Sequence, residues 1–150
     1  MPTRHAAAER ALIAASRFNE AVTRRLAQGA AEALTAAGVA SDTVWVDGAW
    51  ELPLLLDRGL ATGRYRLAVA VGAIVRGETP HFDVLAAEVA RGLGHVALTR
   101  GLPIGFGVLT CDTLEQALAR AGGSHGNKGA EAAAAALDAR RATDGLDAAR

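Results

Sequence analysis

The stretch Leu67 to Val75 reads Leu-Ala-Val-Ala-Val-Gly-Ala-Ile-Val, with no polar residue to mark a solvent face. A half-exposed strand alternates polar and apolar side chains. An unbroken apolar run is instead covered on both faces, as strands of a parallel sheet are. Arg76 closes the run, far short of the roughly 20 residues a membrane span needs. Gly77 to Pro80 then reads as a loop and Phe82 to Thr99 as a long helix. Leu102 to Leu109 repeats the apolar pattern with Gly105 and Gly107 inside it, a sign of close approach by a ligand or another backbone.

The flanking segments fit the same alternation. Leu12 to Ala15 is a first strand, followed by turn residues Ser16 to Asn19. Asn19 is placed to cap a helix in which Val22, Leu26, Ala30, Ala33 and Leu34 recur at helical spacing, up to Gly38. Thr43 to Val46 is a second strand, broken by Asp47-Gly48. Glu51 to Ala61 is a helix with Pro53 in its first turn. Thr113 to Ala121 is a short helix capped by Asp112 or Thr113. Gly122 to Gly129 is a loop, and Ala130 to Arg141 a last helix. Strand and helix alternate four times, which predicts a three-layer α/β/α domain with a mainly four-stranded parallel sheet.

With 150 residues, the chain is expected to be a single domain over 1–150, with 1–10 and 142–150 as frayed tails. At 51% apolar residues it can bury a sizeable core. Sixteen Lys+Arg balance sixteen Asp+Glu, which argues against a nucleic-acid partner and against a polybasic membrane-surface protein. Met1 to Arg10 has no apolar segment of the kind a secretory signal carries. One cysteine, Cys111, allows no intrachain disulfide and no Cys-based zinc site, so a reducing cytoplasm is the expected compartment. Alanine occurs 36 times and Arg outnumbers Lys fifteen to one, a bias read as genome composition. It singles out the lone lysine, Lys128.

Ligands of open α/β sheets sit beyond the carboxyl ends of the strands. The loops there are Ser16–Asn19, Asp47–Glu51, Val75–His81 and Thr110–Thr113. They hold Phe18, Trp50, Glu51, Arg76, Thr79, His81, Asp112 and Thr113. Of six aromatic residues in the chain, Phe18 and Trp50 fall on loop tips. A loop aromatic commonly serves packing. Two of them beside a carboxylate and an imidazole suit a flat heterocycle that stacks and hydrogen-bonds. His5 and His95 read as a tail and a helix-surface residue. His81 follows Pro80 at a strand–helix junction, where an imidazole can shuttle protons near neutral pH and Asp83 can orient it. Gly122 to Gly129 looks like a phosphate loop but departs from the nucleotide-binding pattern at Asn127 and Gly129, and no G-x-G-x-x-G follows a strand. Arg120 and Lys128 can still supply cations for a small phosphate ester, although Arg120 also reads as a solvated helix residue.

Four segments together resemble the 6,7-dimethyl-8-ribityllumazine synthases. They are Ser16-Arg17-Phe18-Asn19, Gly48-Ala49-Trp50-Glu51-Leu52-Pro53, Gly72 to Asp83, and Gly105 to Thr110 continuing through Asp112 to Ala117, Arg120 to Gly122 and Gly126 to Gly129. They occur in family order and span Leu12 to Leu137. The resemblance implies condensation of 5-amino-6-(D-ribitylamino)uracil with 3,4-dihydroxy-2-butanone 4-phosphate, in riboflavin biosynthesis, without metal or organic cofactor. It implies that Phe18 stacks on the pyrimidine, and that Ala49, Trp50 and Glu51 bind the ribityl chain and ring. By the same resemblance Ala73, Ile74 and Val75 meet the pyrimidine edge, Glu78 and Thr79 hold the phosphate, and His81 moves protons. Phe106 closes the pyrimidine pocket, Arg120 binds phosphate, and Lys128 lies near the substrate ring. These last three come from a neighbouring subunit in the family, which implies a homo-oligomer with a pentamer as its smallest unit. Riboflavin synthase is a further partner the resemblance allows. Trp50 stands where Phe is frequent and Cys111 where Thr is. Ser124-His125 replaces a Lys-containing pair in a loop linked to assembly size. Two other readings share the fold: a non-catalytic, flavodoxin-like binder of lumazine or flavin, and a shell-forming homologue.

Overall fold

The computed structural model describes residues 9–149. His5 and most of the expected amino-terminal tail lie outside them. Four strands, β1 (Arg10–Ser16), β2 (Ala40–Val46), β3 (Leu67–Val75) and β4 (Ile104–Cys111), form a parallel sheet in the order β2-β1-β3-β4. Helices α1 (Glu20–Ala36) and α5 (Lys128–Ala148) cover one face. Helices α2 (Leu52–Ala61) and α3 (His81–Arg100) cover the other.

The apolar run that opened the argument is β3, and its side chains explain the pattern. Leu67, Val69, Val71 and Ala73 pack toward α1 and α5, against Val22, Leu26, Ala132 and Ala133. Ala68, Ala70 and Ile74 pack toward α2 and α3, against Leu52, Leu56, Val89 and Leu93. Full burial of each large side chain contributes about 1.5–3 kcal/mol, so a polar substitution on either face is costly. β2 is an outer strand, and its Ser41, Asp42 and Thr43 are only partly buried or exposed. It is tied in by Asp42, whose carboxylate accepts from Arg10 at 2.7 Å and from the Tyr65 hydroxyl at 2.8 Å.

Several boundaries differ from the sequence reading. β2 begins at Ala40 rather than Thr43, because its outer edge tolerates the polar residues that masked it. The Asp47–Glu51 break contains a short 3-10 turn, Ala49–Glu51, before α2. Thr113 is the cap of α4 (Leu114–Ala119), accepting from the Gln116 N–H at 3.2 Å. The Gly122–Gly129 segment is not one loop. It contains a small antiparallel hairpin of β5 (Ala121–Gly123) and β6 (Gly126–Asn127), with Gly122 and Gly126 at positive φ. Helix α5 starts at Lys128 and continues past Arg141 to Ala148, so the expected carboxyl-terminal tail is helical through that point. Arg140 bonds Asp144 one turn on at 2.8 Å, reaching into that added stretch.

Asn19 does occupy the residue before α1, but its side chain makes no cap. It has φ 62 and donates from Nδ2 to the Ala73 carbonyl at 2.9 Å. Asparagine tolerates this left-handed backbone better than most residues. The glycines of β4 are explained by backbone contact. A Cβ on Gly105 would run into the Ala132 carbonyl of α5, and one on Gly107 would lie 2.8 Å from the Ala70 carbonyl of β3. Ala132, Ala133 and Ala136 are buried at this contact, so here the alanines are structural rather than a compositional accident.

Gly105→Ala therefore forces α5 away from β4. Overpacking of this kind costs about 1–3 kcal/mol. Urea unfolding at fixed protomer concentration should show a lower midpoint. An unchanged midpoint would mean that α5 is not held against β4 as described.

Candidate active site

All four strands run the same way, so their carboxyl ends meet at one edge of the sheet. β1 pairs with β3 only as far as Ala15–Val71, whereas β4 follows β3 to Val75. Gly72–Val75 thus runs past the last paired residue of β1. Beside this overhang lies a cavity of about 650 Å³. Ala73, Ile74 and Val75 form its sheet-side wall. Ala49, Trp50 and Glu51 border it from the turn before α2, and Phe18 from the loop after β1. Thr79 and His81 border it from the β3–α3 connection.

Phe18 is 72% exposed and Trp50 63% exposed, so neither ring contributes to this chain's own core. The backbone around Phe18 is nevertheless fixed. Its N–H donates to the Asp47 carbonyl at 2.9 Å, Arg17 N–H donates to the Val46 carbonyl at 2.8 Å, and the Arg17 side chain pairs with Asp47 at 3.1 Å. Asn19, bonded to Ala73, anchors the other side of the loop. A flat ring is thus held in the open by short bonds to β2 and β3. Glu51 accepts the Gly48 N–H on Oε2 at 3.0 Å, which orients the carboxylate. Its other oxygen has no partner among the described residues.

His81 is the first residue of α3, exposed, with its N–H 3.5 Å from Thr79 Oγ1. The expected Asp83 partnership is not found. Asp83 pairs with Arg76 at 3.3 Å instead. Arg76 also donates from Nε to Asp112 at 2.8 Å. These hydrogen bonds, the one to Asp112 foremost, push the Arg76 pKa above its ordinary value and keep the guanidinium charged.

The remaining expected residues lie elsewhere. Glu78 is exposed in the Arg76–Pro80 loop and does not line the cavity. Phe106, Arg120 and Lys128 do not line it either. Phe106 is on the outer strand β4, 46% exposed. Arg120 ends α4, with Nη1 donating to the Gln116 carbonyl at 3.0 Å. Lys128 opens α5, and its N–H donates to the Arg120 carbonyl at 2.8 Å. Neither cation makes an ion pair among the described residues. One chain therefore assembles most of the expected site and holds Glu78, Phe106, Arg120 and Lys128 outside it.

The cavity also takes in Asp47, Gly48, Gly77, Phe82, Val84 and Leu85, which the sequence reading did not assign to it. Val84 and Leu85 had a legible signal: they stand three and four residues after His81, on the same face of a helix. Its lining includes carboxylates at Asp47 and Glu51 and an imidazole at His81, with no Lys or Arg.

A family model described as 6,7-dimethyl-8-ribityllumazine synthase matches residues 8–143. The chain is 58% identical over 132 residues to the 6,7-dimethyl-8-ribityllumazine synthase of Gemmatimonas aurantiaca, covering 86% of this chain and 80% of that one. It is 53% identical over 132 residues to the protein of the same name from Anaeromyxobacter dehalogenans, covering 86% and 82%.

Cys111, the last residue of β4, is buried, and burial is the main cause that pushes its thiol pKa up. The thiolate is the reactive form. Iodoacetamide at pH 8 should modify the native protein at least about tenfold more slowly than the urea-unfolded chain, because burial limits both access and ionisation. Equal rates would contradict the placement of Cys111 in the core.

Proposed function

The chain belongs to the 6,7-dimethyl-8-ribityllumazine synthase family, and from that premise we propose that its strand-end cavity condenses 5-amino-6-(D-ribitylamino)uracil with 3,4-dihydroxy-2-butanone 4-phosphate. The observation that carries this reading is the cavity itself. It combines an exposed, anchored ring at Phe18, an oriented carboxylate at Glu51 and an imidazole at His81 around an overhanging strand end. A pyrimidine stacks on Phe18 with its edge toward Ala73, Ile74 and Val75. The ribityl hydroxyls reach Ala49, Trp50 and the free oxygen of Glu51. The phosphate lies toward Thr79, with Glu78 in the same loop. The amino end of α3, the positive end of the helix dipole, favours the anion there.

The reaction needs proton transfers more than any redox change. The 5-amino group attacks the ketone and water leaves to give a Schiff base. Loss of a proton allows the phosphate to depart, and closure of the ring expels a second water. The imidazole of His81 serves these transfers. In this reading the enzyme works in the cytoplasm and needs no metal or organic cofactor. Riboflavin synthase is a further partner of the same reading.

The phosphate dianion poses an electrostatic problem within one chain, because the cavity lining carries carboxylates and no Lys or Arg. A second copy supplies the solution. In a cyclic head-to-tail ring, each cavity receives Phe106, Arg120 and Lys128 from the adjacent subunit. The pentamer is the smallest unit of this reading. Arg120 then forks onto the phosphate oxygens, a geometry lysine does not reproduce.

Mixing both substrates with the protein should produce lumazine fluorescence above the spontaneous rate; equal rates with and without protein would contradict the reading. His81→Ala should slow turnover by about 10²–10⁴-fold without abolishing it, the usual span of general acid–base help. Full activity in the assembled variant would remove His81 from the mechanism. Arg120→Ala should raise KM for the butanone phosphate far more than KM for the pyrimidine. Equal changes in both would overturn the phosphate assignment.

A further inference from the structure

The loop Arg76–Pro80 brings Gly77 and Thr79 into the cavity wall and delivers His81 at its end. Its backbone is anchored only at the two extremities. Arg76 N–H donates to the Cys111 carbonyl at 2.9 Å, and the Pro80 carbonyl accepts from Asp83 N–H at 3.1 Å. Between them, no backbone hydrogen bond ties Gly77, Glu78 or Thr79 to the sheet or helices among the described residues. A loop held this way samples many shapes unless a side chain restrains it.

One side chain bridges the gap. Arg76 Nη1 and Nη2 reach the two carboxylate oxygens of Asp83 at 3.4 and 3.3 Å, joining the loop's first residue to the first turn of α3. Its Nε donates to Asp112 Oδ1 at 2.8 Å, fixing the closed loop to the turn between β4 and α4. Asp112 is itself held, because its N–H donates to Gln116 Oε1 at 2.9 Å. The guanidinium lies 4.4 Å from the centre of the Phe82 ring, which lines the cavity beside His81. Each of the three guanidinium nitrogens is thus engaged with a carboxylate, which turns Arg76 toward its own fold. A lysine, with one compact charge, cannot span both carboxylates and cover the ring together.

We infer that Arg76 is a positioning residue: clamped between Asp83 and Asp112, it holds the β3–α3 loop in the shape that receives the phosphate of the second substrate. This rests on the reading of the cavity given above. Arg76 acts through Gly77, Thr79 and the start of α3, and its own guanidinium does not touch substrate.

The test uses Arg76→Lys, Arg76→Gln and Asp83→Asn in the assembled protein, with two readouts. In steady-state kinetics, KM for the butanone phosphate should rise about tenfold or more while KM for the pyrimidine stays within about twofold, since small misplacements of a binding group are costly. In limited digestion without substrate, a glutamate-specific protease should cut Glu78–Thr79 faster in all three variants than in the unmodified protein. Unchanged kinetics, an equal rise in both KM values, or unaltered cleavage at Glu78 would each overturn the inference while the unmodified protein still forms lumazine. An unmodified protein that forms no lumazine would overturn the proposed function, and this inference with it.

Discussion

The burial of β3 on both faces sets the position of everything functional in this chain. A strand covered by α1 and α5 on one side and by α2 and α3 on the other must lie inside the sheet. Parallel partners on both its edges then put every strand-to-helix loop at one end. Because β1 pairs with β3 only as far as Ala15 while β4 follows β3 to Cys111, β3 overhangs on one side only. The cavity lies at that step. Its shape follows from unequal strand lengths, and loops from three strands supply the chemistry.

The loops are individually short and share their anchors. Phe18 is held through Asp47 at the end of β2 and, by way of Asn19, through Ala73 at the end of β3. Glu51 is oriented by Gly48, and the loop before His81 is laced by Arg76. The backbone at Phe18 and His81 and the carboxylate of Glu51 are held by hydrogen bonds rather than by burial, since Phe18, Glu51 and His81 are exposed. Such a site keeps its groups open to substrate. Arg120 and Lys128 make no ion pair among the described residues, and with Phe106 they are the groups that the proposed ring brings to the cavity of another copy.

Much of this was legible in the sequence, for identifiable reasons. β3 was read with its true limits because double burial erases polar alternation from the strand itself. Phe18, Trp50, Glu51 and His81 were found because aromatic and titratable residues are conspicuous just after apolar runs. The rest was hidden where one residue type serves two geometries. Asn19 looked like a cap, yet its left-handed backbone turns the side chain to Ala73. Asp83 looked like a partner for His81 but pairs with Arg76, and sequence spacing does not rank rival partners. The glycines of Gly122–Gly129 signalled a loop, and pairing across Ser124-His125 made a hairpin of them. Arg141 read as a helix end because the residues after it are polar, although a polar exposed helix propagates as well as a loop does when its neighbours pair.

The central claim is that a working site joins His81 of one chain to Arg120 of the next. Chains carrying His81→Ala and chains carrying Arg120→Ala can be unfolded together and reassembled in equal amounts. In a head-to-tail ring about one quarter of the interfaces then pair an intact His81 with an intact Arg120. The account predicts lumazine formation near one quarter of the unsubstituted protein's rate, well above either variant assembled alone. A mixture no more active than the average of the two variants would contradict it and place the whole site within a single chain.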